Sequence, residues 1–232
     1  MKKIKAAIID DERAARNEIR RLLENYPDFE ICGEAGNADA AVSLIGLHHP
    51  DVLFLDIQMP GQSGFDLLES LDQVPYVIFT TAYDQYAVKA FEVNAMDYLL
   101  KPIREERFAK AMEHLRSKAG FPVKEEQIFV KDRQQYHFIS WRSVYLIEST
   151  DNYARLSFDD KTVLLKSSLN QLEKKLDASR FFRINRAQII NLQYIDKINT
   201  AQNGRIKITL TTGATVEVSD RQSTRFRNLG RG

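Results

Sequence analysis

Val52-Leu53-Phe54-Leu55-Asp56-Ile57-Gln58-Met59-Pro60-Gly61 decides the fold of the N-terminal half: an unbroken apolar run ends in an acid, and Pro-Gly then turns the chain. Such a run predicts a strand of a parallel sheet with the acid at its carboxyl edge. The arrangement recurs on either side. Asp10-Asp11 follows Ile8-Ile9, Thr80-Thr81 follows Val77-Ile78-Phe79, and Lys101 follows Tyr98-Leu99-Leu100. In an open α/β sheet the strand ends beside the topological switch point converge on one crevice, so distant residues can meet around one ligand. Three carboxylates meeting there need a cation. Hard oxygen ligands in that number suit Mg²⁺, which takes one or two carboxylates, several waters and phosphate oxygens.

The constellation predicts phosphoryl chemistry. Asp56 is the candidate nucleophile, since a carboxylate can accept a phosphoryl group as a mixed anhydride. Mg²⁺ would offset charge on the transferring oxygens, and Lys101 would bind phosphate as a point charge. On spacing alone either Thr80 or Thr81 could donate a hydroxyl to a phosphoryl oxygen on Asp56. Singly, each residue has an ordinary explanation: Asp-Asp-Glu starts helices and Lys-Pro stops them. Their coincidence at successive strand ends points to a site.

Over roughly residues 4 to 118 the chain resembles the receiver domain of two-component response regulators. Asp10-Asp11 is similar to the acidic pair and Asp56 to Gly61, with Gly64, to the phosphoacceptor loop. Thr81-Ala82 resembles the switch hydroxyl, and Tyr98-Leu99-Leu100-Lys101-Pro102 the aromatic, lysine and proline. The resemblance implies a flavodoxin-like doubly wound parallel sheet. It implies that Asp11, Asp56 and the carbonyl of Gln58 ligate Mg²⁺ while Asp10 acts through water, and that a sensor histidine kinase phosphorylates Asp56. Thr81 and Lys101 would assist, Thr81 and Tyr98 would switch, and the Lys101-Pro102 bond would be cis. The phosphorylated protein would dimerise through helices near 84 to 94 and 103 to 118. The enzymology would be limited to taking up phosphate and losing it by hydrolysis.

The 232 residues carry a net charge of only +1, which hides an asymmetry. Up to Lys118 there are 14 basic against 20 acidic residues; beyond it there are 19 against 12. The acidic half holds the candidate metal site, and the basic half suggests a polyanionic partner. Cys32 is the sole cysteine, which excludes an intrachain disulfide and fits a core thiol in a reducing cytoplasm. No apolar run approaches the roughly 20 residues of a membrane helix. His48, His49, His114 and His137 show no metal-ligand spacing.

Through residue 118 short apolar strands alternate with amphipathic stretches, as in βα units. Ile19, Leu22, Leu23 and Tyr26 fall at helical spacing, as do Phe65, Leu68 and Leu71, then Ala87, Ala90, Phe91 and Asn94, and last Phe108, Met112 and Leu115. Ala119-Gly120-Phe121-Pro122 breaks the pattern, which places a linker at 119–125 and a second domain at 126–232. There the period becomes two. Strands are expected at 128–130, 136–138, 144–146, 153–156, 163–165, 206–210 and 216–218, with a hairpin turn at Asn203-Gly204. One helix opens at Ser168-Leu169-Asn170-Gln171, a capping box, and turns Leu169, Leu172 and Leu176 inward. No helix-turn-helix, zinc finger or basic zipper is present.

Leu146-Ile147-Glu148-Ser149 with Asn152-Tyr153, Ser168-Leu169 with Leu172, Phe182 to Arg186, Ile190-Asn191 and Val218-Ser219 resemble the LytTR family of DNA-binding domains over roughly residues 126 to 229. The resemblance implies a mostly antiparallel β domain that inserts loops into successive major grooves of promoter DNA. Asn152, Tyr153, Arg183, Asn185, Arg186 and Arg221 are the DNA candidates. Arg186 could read guanine by a bidentate contact, and Asn185 or Asn152 could pair with adenine. Tyr153 stands between a core role and a DNA role. Two departures matter: Ala187 replaces a usual serine, and Asp220 stands where a basic residue is usual, leaving open whether Asp220 or Arg221 faces DNA. The reading that follows is a phosphorylation-dependent transcriptional regulator. Its rivals are a Mg²⁺-dependent phosphohydrolase with an aspartyl intermediate and a receiver whose output domain binds protein or RNA.

Overall fold

The computed structural model describes residues 3–82, 95–119, 126–132, 135–200 and 205–229. The expected helix stripe at 87–94, most of the linker and the Asn203-Gly204 turn lie outside the described residues. Contacts divide the chain into two units, Met1–Trp141 and Arg142–Gly232.

The first unit alternates β1 (Ile4–Ile9), α1 (Arg13–Leu23), β2 (Phe29–Ala35), α2 (Ala38–His48), β3 (Val52–Asp56), α3 (Gly64–Glu69), β4 (Tyr76–Thr81), β5 (Asp97–Leu100) and α4 (Glu105–Ala119). The strands are all parallel, in the order β2-β1-β3-β4-β5. Strand order reverses beside β1, so the switch point lies between β1 and β3, and the carboxyl ends of those strands carry Asp10 and Asp56. The unbroken apolar runs follow from burial on both faces. Ala7, Ile9, Leu53, Leu55 and Phe79 pack into one core with Phe65 and Leu68 of α3. Ala6, Ile8, Phe54 and Ile78 pack into the other with Ile19 and Leu22 of α1 and Phe108, Met112 and Leu115 of α4. Helix starts are fixed locally: the Asn37 side chain accepts from the Ala40 amide, and Ser63 and Asp66 form a capping box.

The hairpin of β6 (Gln127–Asp132) and β7 (Gln135–Ser140) belongs by contact to this first unit, whereas the sequence pattern places residue 126 onward in the second domain. Aromatic packing is the reason. Tyr136 stacks on Phe65 with centroids 4.7 Å apart, and Phe129 lies 6.0 Å from Phe65 and 5.3 Å from Tyr136. Gln127 adds two backbone ties: its carbonyl accepts from the Val74 amide at 2.9 Å, and its side-chain amide donates to the Pro75 carbonyl at 2.9 Å.

The second unit holds two antiparallel sheets. One has the order β10-β9-β8-β12-β11, from β8 (Val144–Thr150), β9 (Tyr153–Phe158), β10 (Lys161–Leu165), β11 (Phe181–Asn185) and β12 (Gln188–Asn191). The other is β13 (Ile195–Thr200), β14 (Ile206–Leu210) and β15 (Thr215–Val218). Helix α5 (Leu169–Lys175) has the expected Ser168–Gln171 capping box and buries Leu169 and Leu172. Phe182, Ile184 and Ile190 of the first sheet meet Ile206, Ile208, Val216 and Val218 of the second, and Phe226 of α6 (Asp220–Leu229) joins that core. No helix among the described residues is long and apolar enough to cross a membrane.

A truncated chain ending at Ala119 should melt at a lower temperature than one ending at Trp141, because the longer piece keeps the aromatic layer over Phe65. Within the longer piece, Phe129→Ala should cost about 3–5 kcal/mol in denaturant unfolding; equal stability of all three would place the hairpin outside this core.

Candidate functional site

The strand-end residues of the first unit converge as expected. Asp10 is fully buried after β1, Asp56 nearly so at the end of β3, and Asp11 is exposed between them. Each offers a carboxylate oxygen within 4.8 Å of the others. The Lys101 ammonium reaches across from the end of β5, 2.7 Å from Oδ2 of Asp10 and 3.1 Å from Oδ2 of Asp56. Its backbone is held by the Lys101 amide, which donates to the Thr81 carbonyl at 2.8 Å. The Lys101-Pro102 bond is cis, as the resemblance implies. Asp11, Asp56, Gln58, Thr81 and Lys101 line an open cleft of about 810 Å³.

Two glycines make the loop beneath the cleft possible. Gly61 has φ +85°, a conformation that favours glycine. A Cβ on Gly64 would stand 2.3 Å from the Asp56 carbonyl oxygen, so only a glycine lets α3 start this close to the strand end. Strand alternation separates the two threonines. Both are buried on β4, but Thr81 lines the cleft, while the Thr80 hydroxyl has no hydrogen-bond partner among the described residues. Tyr98 is half-buried on β5 in register with Phe79, and its carbonyl accepts from Arg107 at 2.9 Å.

Three carboxylates cluster here and one ammonium pairs with two of them, and the imbalance shows in the acidities. Burial pushes the Asp56 carboxyl above the usual carboxylate range; Lys101 pulls it partly back and Asp10 pushes it further up. Burial draws the Lys101 ammonium down, but the hydrogen bond and charge of Asp10, with those of Asp56, hold it above the usual lysine range. Hard oxygen donors with surplus negative charge fit a divalent cation such as Mg²⁺.

The DNA candidates of the second unit gather at one end of its five-stranded sheet. The β8–β9 turn carries Asn152, with Tyr153 opening β9, and the β11–β12 turn beside it carries Arg186; the Ser149 amide donates to the Ala187 carbonyl between them at 2.8 Å. Asn152 is exposed and Tyr153 is 42% exposed, which removes the core alternative for the tyrosine. Arg186 and Arg221 are exposed and, with Arg225, line a cleft of about 710 Å³; Asp220 does not line it. Arg183 and Asn185 differ from expectation in being spent on internal bonds. The Asn185 amide donates to Gln188 Oε1 at 2.9 Å and to the Glu217 carbonyl at 3.0 Å, and its oxygen accepts from the Ala187 amide at 2.8 Å. Arg225 was missed because it lies on α6, whose only apolar anchor short of its C-terminal leucine is Phe226, too sparse a pattern to announce a helix.

Residues 6–113 match the response regulator receiver domain, and residues 134–231 match the LytTr DNA-binding domain. Over 224 residues the chain is 34% identical to the sensory transduction protein LytT of Enterococcus faecalis, covering 91% of this chain and 93% of that protein. Over 230 residues it is 37% identical to the transcriptional regulatory protein BtsR of Salmonella typhi, covering 94% and 95%. Among solved structures, the response regulatory domain of mrkE from Klebsiella pneumoniae aligns at 30% identity with a TM-score of 0.46, over 50% of this chain and 97% of that one.

A carboxyl whose pKa is raised by folding favours the folded state most while protonated, so that contribution is lost as pH climbs through its folded pKa. Asp56→Asn, which fixes a neutral side chain, should therefore raise the melting temperature of the metal-free protein at neutral pH. The gain should shrink on acidification and vanish below the usual aspartate range, as thermal unfolding in chelator at both pH values would record.

Proposed function

The chain belongs to the response regulators that join a receiver domain to a LytTr DNA-binding domain, and from that premise we propose which residues carry its two tasks: Asp56 takes the phosphoryl group, and the basic sheet end of the second unit holds duplex DNA. It is a phosphorylation-dependent transcriptional regulator, whose receiver implies a sensor kinase as partner. The observation that carries the first assignment is Lys101 bridging Asp10 and Asp56 beside an open cleft.

An oxygen of Asp56 attacks the phosphorus of a phosphohistidine on the sensor kinase. The P–N bond breaks, the imidazole leaves, and Asp56 becomes a mixed anhydride. Lys101, already 3.1 Å from that carboxylate, follows the charge to the phosphoryl oxygens, and Thr81 donates its hydroxyl from the same cleft. Asp11, Asp56 and the Gln58 carbonyl would hold Mg²⁺, with Asp10 acting through water; when bound, the ion offsets charge on the transferring oxygens. Movement of Thr81 toward the phosphoryl group lets Tyr98 follow and remodels the face beside α4, through which two copies pair. Phosphorylation drives pairing only insofar as the two states differ in affinity for it.

At the output end, Arg186 and Arg221 approach the duplex with Asn152 and Tyr153 beside them, and Arg221 rather than Asp220 faces the groove. The exposure of Arg186 and Arg221 in a common basic cleft, and of Asn152 and Tyr153 on the neighbouring turn, supports this reading. Two copies on one duplex would engage half-sites about one or two helical turns apart, since roughly 10–10.5 base pairs returns a reader to the same groove face.

Incubation with Mg²⁺ and a small acyl-phosphate donor should add one acid-labile phosphate, absent in Asp56→Asn, and Asp11→Ala should weaken Mg²⁺ binding; labelling that persists in Asp56→Asn would move the acceptor elsewhere. On the output side, Arg186→Ala should weaken binding to a selected duplex by about 1–3 kcal/mol. The loss should fall on one base position if Arg186 reads a base, and on all sequences with a flatter salt slope if it touches phosphate. Unchanged affinity would remove it from the interface.

A further inference from the structure

Strand β11 is irregular at its functional end. Arg183 pairs with Ile189 and Asn185 with Gln188, so Ile184 is an extra residue in the ladder. Such a bulge re-aims the residues beyond it. Ile184 sends a fully buried side chain into the core, and its carbonyl accepts from the amide and hydroxyl of Ser219, at 2.9 and 3.2 Å, at the start of α6. The exposed turn beyond the bulge carries Arg186.

The Arg183 side chain spans this bulge. Its Nε donates to the Asn185 carbonyl at 2.7 Å and its Nη2 to the Arg186 carbonyl at 2.5 Å. Nη1 lies 3.3 Å from Asn170 Oδ1 and 3.4 Å from Glu173 Oε2, both on α5, and only 11% of the side chain reaches solvent. The guanidinium thus points back into the protein, and Glu173 offsets its charge.

We propose that Arg183 is a positioning residue: it clamps the turn that carries Arg186 to α5 and makes no contact with DNA itself. The proposal rests on the DNA-binding reading above for its consequence, but not for the clamp. A turn ordered before DNA arrives spares the complex an ordering cost, so loss of the clamp weakens specific binding. No counterion is released by a residue that meets no phosphate, so the salt dependence is left alone. Only a planar fork spans two successive carbonyls and a helix side chain together; a lysine keeps the charge and loses the clamp.

The experiment compares the full chain with Arg183→Lys and Arg183→Ala, titrated against a selected and a random duplex at several salt concentrations. Amide hydrogen exchange of the turn 185–188 is followed in the DNA-free proteins. Both variants should lose roughly ten-fold in affinity for the selected duplex, keep the parent salt slope, discriminate less between the duplexes and exchange faster in the turn. Parent affinity in Arg183→Lys beside a loss in Arg183→Ala, with the slope lowered by about one, would make Arg183 a phosphate contact and overturn the proposal. Parent behaviour in both variants would overturn it too. Should Arg183→Ala fail to fold, Arg183→Lys decides alone, since its charge and length are retained. If the parent shows no salt-dependent duplex binding, the DNA reading falls, while the clamp still stands or falls on hydrogen exchange.

Discussion

One ammonium between two buried carboxylates governs the first unit. Lys101 can sit 2.7 Å from Asp10 and 3.1 Å from Asp56 only because parallel strands bring the ends of β1, β3 and β5 to one edge. The arrangement leaves negative charge unbalanced, with Asp11 exposed at its mouth and the Asp56 carboxyl pushed above its usual range. A site of this kind is poised for change: neutralising charge with a cation and adding charge with a phosphoryl group both redistribute what Lys101 must pair with. The sheet beneath, apolar on both faces, holds the strand ends while the charges shift.

The acidic cluster lies close in the chain to the aromatic layer under the hairpin. Asp56 is followed within nine residues by Phe65, and the glycine between them, Gly64, packs its α-carbon against the Asp56 carbonyl. Phe65 in turn stacks on Tyr136 of the β6–β7 hairpin. The LytTr match begins at residue 134, so β7, which sequence likeness assigns to the DNA-binding domain, shares an aromatic layer with α3, the helix that follows Asp56. The linker expected at 119–125 rests on Ala119-Gly120-Phe121-Pro122, which marks where a helix stops and says nothing of which core the next strands join.

The receiver half was legible because its logic is one-dimensional. Unbroken apolar runs mark strands buried on both sides, and a polar residue directly after each run falls at the sheet edge by geometry alone. Asp10, Asp11, Asp56 and Lys101 stand out on that basis; spacing alone leaves Thr80 and Thr81 open, the Thr81-Ala82 pair favours the second by resemblance, and in the structure it is Thr81 that lines the cleft. The second half resisted for the opposite reason. Strand β13 keeps only Ile195 half-buried and leaves Ile198 55% exposed, so its alternation is nearly silent. Helix α6 rests on Phe226 and a buried Ser223, and periodicity in apolar residues cannot announce it. Arg183 and Asn185 are DNA candidates by resemblance to a family motif, and a motif does not tell which way a side chain turns: both lie beside the irregularity at Ile184 and bond within the protein.

Those inward turns explain how a basic surface is built without collapsing on itself. Arg183, Arg186, Arg221 and Arg225 line one cleft, and four guanidinium groups of like charge repel unless something holds their supports apart. Arg183 offsets its charge against Glu173 and spends its donors on carbonyls. Asn185 ties β11 to the Glu217 carbonyl of β15, and Ser219 ties the Ile184 carbonyl to the first turn of α6. The exposed arginines are therefore mounted on a frame of internal hydrogen bonds and one ion pair. The excess of basic residues beyond Lys118 is in this sense divided: part of it is structure, and only the remainder is free to meet a polyanion.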